Sequence, residues 1–138
     1  MIKYWHPQLS NISEKAKIGE DSVIHAGVHI HDEVIIGKNC RIEAQVFIPN
    51  GVTIEDNCFI GPQVCFTNDP TMSLERKNWT STPTLIKKGV KIGTNATIRA
   101  GVTIGENSII GCGSVVLKNV PPNETWVGNP ANKLTKSK

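Results

Sequence analysis

From Ile18 to Phe66 a large apolar residue stands at every sixth position: Ile18, Ile24, Ile30, Ile36, Ile42, Ile48, Ile54, Ile60 and Phe66. The same beat resumes at Ile86, Ile92, Ile98, Ile104, Ile110 and Val116. Four residues after each beat the side chain is small or β-branched, as at Ser22, Val28, Cys40, Cys58, Val90, Ala96, Ser108 and Ser114. Three residues after it stands Gly, Asn or Asp in most hexads, the residues that tolerate a positive φ. A period of six matches neither the 3.6-residue repeat of a helix nor the alternation of hairpin strands. It fits a coil of three short strands with a corner after each, eighteen residues per turn, stacked in parallel. The pattern therefore predicts an all-β solenoid over about residues 12–130.

The beat fails once. Phe66 and Ile86 are twenty residues apart where one hexad would span six, so fourteen residues are extruded as a loop near 70–83. A loop of that length inside a regular repeat is commonly functional. Asn68 and Asp69 fall at the corner where it leaves. Counting by eighteens places Asn50 and Gly51, then Asp32 and Glu33, below them on the same edge. Ala100 and Gly101 with Arg99, then Lys118 and Asn119, lie above. An acid–amide pair, then small residues, then cations would suit an extended ligand with a reactive end and a phosphate end. Glu33, Gln45 and Gln63 are the exceptions to the Gly/Asn/Asp rule. Gln45 and Gln63 stack on the preceding corner. They are either solvated corner residues or, with Glu33, hydrogen-bonding groups for a polyhydroxyl substrate.

Composition narrows this picture. The 138 residues suit one domain, 1–138, with a basic tail over 131–138 that is expected to fray. A formal charge of +3, evenly spread, gives no footprint for nucleic acid. No apolar run is long enough to span a membrane and "MIKYWHPQLSN" is not a leader, so a cytoplasmic protein with reduced thiols is expected. Cys40 and Cys58 fall four residues after the beat and one coil apart, which makes them core residues. No metal site is expected, because neither Cys65 nor Cys112 has a metal-ligand spacing and the cluster His25, His29 and His31 sits at one end of the chain. These histidines read first as surface or pocket-wall residues and second as catalytic groups acting across a subunit boundary.

The hexads resemble the hexapeptide-repeat family of left-handed parallel β-helices, over nearly the whole chain. "RAGVTIGENSIIG", "GSVVLKNVPPN" and "VGNPA" are similar to the coenzyme A-binding end of its acyltransferases. The resemblance implies a homotrimer with active sites between subunits and acetyl-CoA as co-substrate. The pantetheine would lie near Ala100, Gly101, Gly113 and Ser114, and the nucleotide would be flanked by Lys118 and the segment from Trp126 to Pro130. Maltose- and galactoside-type O-acetyltransferases keep a His, the base a hydroxyl acceptor needs, where this chain has Asp69. No His follows His31. "FTND" instead resembles nucleotide-sugar N-acetyltransferases, although their following Pro-Arg is replaced here by "PTMSLERKNW". This implies acetylation of the amino group of a nucleotide-linked deoxyamino sugar, a cell-surface polysaccharide precursor. Asp69 would orient the amine or accept its proton, Asn68 would hold the amine or the thioester carbonyl, and backbone amides near the next rung, that of Ala100 and Gly101, would hold the oxyanion. The rivals are a sugar O-acetyltransferase with an altered base and a non-catalytic structural β-helix.

Overall fold

The computed structural model describes residues 1–135, and the part of the expected tail from 136 on lies outside the described residues. The chain is a left-handed parallel β-helix, as the hexads and the resemblance predict. Its sides are three sheets. Face A stacks eight strands, from Lys3–Tyr4 to Ala131–Lys133. Face B stacks six, from Asn11–Ile12 to Val115–Val116, and face C five, from Lys17–Ile18 to Thr103–Ile104. All neighbours pair in parallel except the last two strands of face A. Register is eighteen residues along most of the stack, as between Val23 and Arg41. Across the extruded loop it becomes thirty-two on every face, with Phe59 opposite Lys91, Cys65 opposite Thr97 and Leu85 opposite Thr53. The fourteen extra residues therefore leave the prism without disturbing the rungs above and below.

The apolar beat fills the prism. Ile24, Ile30, Ile36, Ile42, Ile48, Ile54, Ile60, Phe66, Ile86, Ile92, Ile98 and Ile104 are all fully buried. Burying one such side chain contributes about 1.5–3 kcal/mol. Cys40 and Cys58 are buried and unbridged, as their positions predict. Corners take left-handed backbone at Gly51 and Gly101, and also at Glu33, Gln45 and Gln63, so the three exceptions to the residue rule are not exceptions in geometry. Asp69 stands outside this set, because the loop replaces the corner there.

Both ends differ from the expected regular repeat. The first coil begins at Lys3–Tyr4, which pairs with Val23–Ile24 at a register of twenty, the 3-10 turn Pro7–Leu9 taking up the excess. At the other end Thr125 pairs with Ile109 at a register of sixteen. Thr125–Gly128 then turns back, and Ala131–Lys133 pairs antiparallel to it where frayed chain was expected. Trp126, 7 % exposed, closes the top of the core, its indole N–H donating to Glu124 Oε1 at 2.9 Å.

Candidate active site

The loop leaves at the edge between faces B and C, and its root is held by backbone and side chain together. Asn68 donates from Nδ2 to the Asn50 carbonyl one rung below at 3.1 Å, while its own carbonyl accepts the Thr82 N–H at 2.8 Å. The two ends of the loop are thus clamped at one residue. Among the described residues the Asn68 carboxamide oxygen has no hydrogen-bond partner within the chain.

Asp69 faces the other way. Its Oδ1 accepts the Thr71 N–H at 2.9 Å and the Thr71 hydroxyl at 2.7 Å, its Oδ2 accepts the Ser73 N–H at 2.9 Å, and the Arg76 guanidinium lies 3.8 Å from Oδ2. The Thr71 hydroxyl bond, followed by the Thr71 and Ser73 amides and, least, the Trp79 side chain, holds the carboxyl at about 2 against partial burial, which opposes the shift. A carboxylate this acidic and this occupied is a poor proton acceptor near neutral pH. It organises the loop. The sequence carried a signal for this, since Asp-Pro-Thr is a turn in which the Asp side chain takes the N–H two residues on. Arg76 in turn lies over the Trp79 ring, 5.4 Å from its centroid.

On the rung above, Ala100 and Gly101 occupy the expected edge. Their N–H groups are not free: Ala100 donates to Thr67 Oγ1 at 2.9 Å and Gly101 to Thr84 Oγ1 at 3.1 Å. Within one chain these two amides, on the rung where oxyanion donors were expected, are thus engaged by threonine hydroxyls. Gly101 is exposed, and a Cβ there would meet the loop residue Thr82 at 3.2 Å, so loop and rung lie in contact. Lys118 rises above, its Nζ 5.4 Å from the Trp126 ring centroid.

The other expected residues are dispersed within one chain. Gln45, Gln63 and Gly113 share the edge between faces A and B, each donating its N–H to the coil below, at Ala26, Ala44 and Thr94 respectively. Gln63 Nε2 donates to Gln45 Oε1 at 3.0 Å, an exposed amide ladder. Ser114 is buried, and its hydroxyl accepts the Gly128 N–H at 3.1 Å, so its side chain is a packing group. Trp126 is likewise a core lid, and Pro130 is exposed at the turn that follows it. Glu33 is exposed on the B–C edge two rungs below Asp69. The sequence reading passed over a cavity of about 270 Å³ on that edge, lined by Asn11, Ser13, Ile30, His31, Asp32 and Asn50. His31 is a pocket-wall residue here, meeting Phe47 edge-on at 5.1 Å between ring centroids. Among the described residues no group of three or more His, Cys, Asp or Glu could hold a metal, and no helix is long and apolar enough to cross a membrane.

Residues 15–50 and 83–118 match the bacterial transferase hexapeptide (six repeats) family, and residues 51–65 match the hexapeptide repeat of succinyl-transferase. The chain belongs to this hexapeptide-repeat transferase family. The matches skip 66–82, so the opened corner lies outside what defines the family.

Among solved structures, the chain is similar to the H141N mutant of perosamine N-acetyltransferase from Caulobacter crescentus in complex with CoA and GDP-perosamine. The TM-score is 0.82 at 24% identity, covering 98% of this chain and 58% of that one. It is also similar to a galactoside acetyltransferase in complex with coenzyme A (TM-score 0.77, 32% identity, 94% and 66% covered). A third likeness is to the hexapeptide-repeat acetyltransferase VCA0836 from Vibrio cholerae O1 biovar eltor, complexed with acetyl coenzyme A (TM-score 0.67, 28% identity, 96% and 74% covered). The chain thus spans less than two thirds of the length of the perosamine enzyme. A search of the curated proteins finds no match.

Proposed function

We propose that the chain is an acetyl-CoA-dependent acyltransferase whose acceptor is the amino group of a deoxyamino sugar, free or nucleotide-linked. The observation that carries this reading is the state of the loop root. A hydroxyl acceptor needs a base to remove its proton. The carboxylate at the root, Asp69, is held near 2 by the loop it organises. An amine that has lost its extra proton is already a nucleophile. Asn68, clamped between Asn50 and Thr82 with its carboxamide oxygen unpartnered, is the group placed to accept a hydrogen bond from that amine.

In the proposed step the amine nitrogen attacks the thioester carbonyl, the carbon–sulfur bond breaks, and coenzyme A leaves as the thiolate. The proton lost by nitrogen goes to the thiolate or to water. The donor would run up the edge from Asn68 past Gly101 towards Lys118, whose cation suits a phosphate. The segment from Trp126 to Pro130 would flank the nucleotide, and the backbone at Gly113 and Ser114 would be supplied by a neighbouring copy. The active assembly is a homotrimer in the cytoplasm, where acetyl-CoA is available. The coenzyme A and acetyl-CoA complexes of similar proteins support the donor, and the perosamine enzyme supports the acceptor class.

The test is a panel of amino sugars, their nucleotide conjugates and the matching hydroxy sugars, with release of coenzyme A as readout. Turnover is expected with the amines only, and Asn68→Ala should lower kcat on the best of them by about a hundredfold, the scale of losing a positioned transition-state contact. Turnover of the hydroxy sugars at equal rate would move the reading to O-acetylation. A wild-type protein that shows no acetyl-CoA binding by calorimetry would end it.

A further inference from the structure

Two pairs of amide side chains on the edges of the prism bond to each other: Asn39 Nδ2 donates to Asn57 Oδ1 at 2.9 Å, and Gln63 Nε2 to Gln45 Oε1. Below the loop root the side chains of Asn11, on face B, and of His31 and Asn50, on the B–C edge, have no hydrogen-bond partner within the described chain. All three line the cavity of about 270 Å³. Asp32 also faces it, its Oδ1 accepting from the Ser13 hydroxyl and its Oδ2 lying 3.9 Å from Lys15 Nζ. This leaves a concave site with unspent donors and acceptors of both kinds and one carboxylate, walled by the His31 ring packed on Phe47.

We infer that this cavity is the acceptor subsite, taking the hydroxyl-rich ring of an amino sugar with its amino group directed up the edge to Asn68. The inference rests on the acyl-transfer reading of the loop root and deepens it. Two observations join. The unpaired groups are those a ring of hydroxyls satisfies, since a hydroxyl both donates and accepts, while amide and imidazole groups offer both functions. The cavity is also linked to the reacting corner through a single residue: Asn50 lines the cavity, and its backbone carbonyl accepts from the Asn68 amide. The cavity opens one rung beneath the group that receives the amine, at Asn50, and extends down past His31 and Asp32, on the side opposite the donor's course past Gly101. A purely apolar ligand would leave these polar groups unpaired, which selects against it. Gln45 and Gln63 lie on the A–B edge and do not form this subsite within one chain.

The experiment separates this inference from the reading beneath it. Glucosamine and galactosamine serve as probes in protein-observed NMR without donor, and acetyl-CoA binding is measured separately by calorimetry. Addition of either probe is expected to shift the side-chain amides of Asn11 and Asn50 and the ring protons of His31, with Asn39 and Asn57 unmoved. In turnover, Asn50→Ala, which keeps the carbonyl that holds Asn68, and Asp32→Asn should each raise the acceptor KM about tenfold. The acetyl-CoA KM should change less than twofold. Probe shifts confined to another face, or no shift at saturating probe, overturn the subsite even if acetyl transfer is found. Equal rises in both KM values also overturn it, since they report damage to the shared edge. Loss of acetyl-CoA binding in the wild type with the probe shifts intact overturns the transferase reading and leaves a sugar-binding cavity.

Discussion

Asp69 shows how one side chain's neighbours decide its chemistry. Its ordinary carboxyl range begins near 3.8, and the loop contacts lower it to about 2. A depressed folded value means the contacts stabilise the loop fully above pH 3.8 and are lost as pH falls through 2. The amide resonances of Thr71 and Ser73 should therefore titrate with a midpoint near 2, and a midpoint near 4 would show the carboxyl to be unperturbed. Asp69→Asn refines the test. The carboxamide keeps one acceptor oxygen for Thr71 but replaces the other with an NH2 that cannot accept from Ser73. Hydrogen exchange at Ser73 should then rise roughly tenfold while Thr71 changes less. Activity should fall through loop disorder, with no ionisation removed from the pH–rate profile between pH 5 and 9, because Asp69 does not titrate there. The sequence placed Asp69 at the right corner, since counting by six is independent of what the side chain does. It did not show that the carboxylate is spent inside its own loop, because that depends on where Thr71 and Ser73 fold back.

At the level of strands and corners the hexad was almost wholly legible, because each position has one neighbour set repeated on every rung. What the residue rule missed was a second glycine column, directly after the apolar beat. Gly61 there is not needed for a positive φ. A Cβ on it would lie 2.8 Å from the Thr94 N and 2.9 Å from the Gly93 C and Ile92 O, all backbone of the next rung. Gly105 meets the backbone of Pro121 and Pro122 in the same way, with Pro121 C at 2.8 Å. Backbone cannot rotate aside as a side chain does, so the rungs themselves must part. Gly61→Ala is expected to cost about 1–3 kcal/mol, the range of overpacking, in urea denaturation at fixed protein concentration. Gly113→Ala is the control, with nothing within 4 Å of its Cβ and only a positive φ of 67° to oppose it. If the two variants lose the same stability, close approach is not what the second column is for. The ends escaped the rule for the same physical reason that the middle obeyed it. A coil with a neighbour on one side only is free to change its length, as the registers of twenty and sixteen show.

For the whole molecule, the dispersion of the expected site over two edges carries the argument for assembly. Asn68, Gly101 and the acceptor cavity share the B–C edge, whereas Gln45, Gln63 and Gly113 share the A–B edge, with face B between them. One copy does not bring the two edges together across its own core. In the proposed threefold assembly the A–B edge of one copy would meet the B–C edge of the next, and a site at that junction would use both. Subunit complementation tests this directly. Asn68→Ala disables the first edge. Gly113→Gln burdens the second with a side chain in the ground proposed for pantetheine, at a corner conformation that Gln45 and Gln63 already adopt in the same column. Each variant alone should be nearly inactive. Unfolded together and refolded as an equal mixture, a trimer with junction sites forms about one intact site in four, since each half of a site is wild type in half of the copies. Recovery of about a quarter of wild-type activity is the expected result. No recovery, with mixed trimers demonstrated by native mass spectrometry, would place both groups in a site made by a single copy. An active Gly113→Gln variant, by contrast, would leave the A–B edge without a part in catalysis and the glutamine ladder as a structural feature of the solenoid.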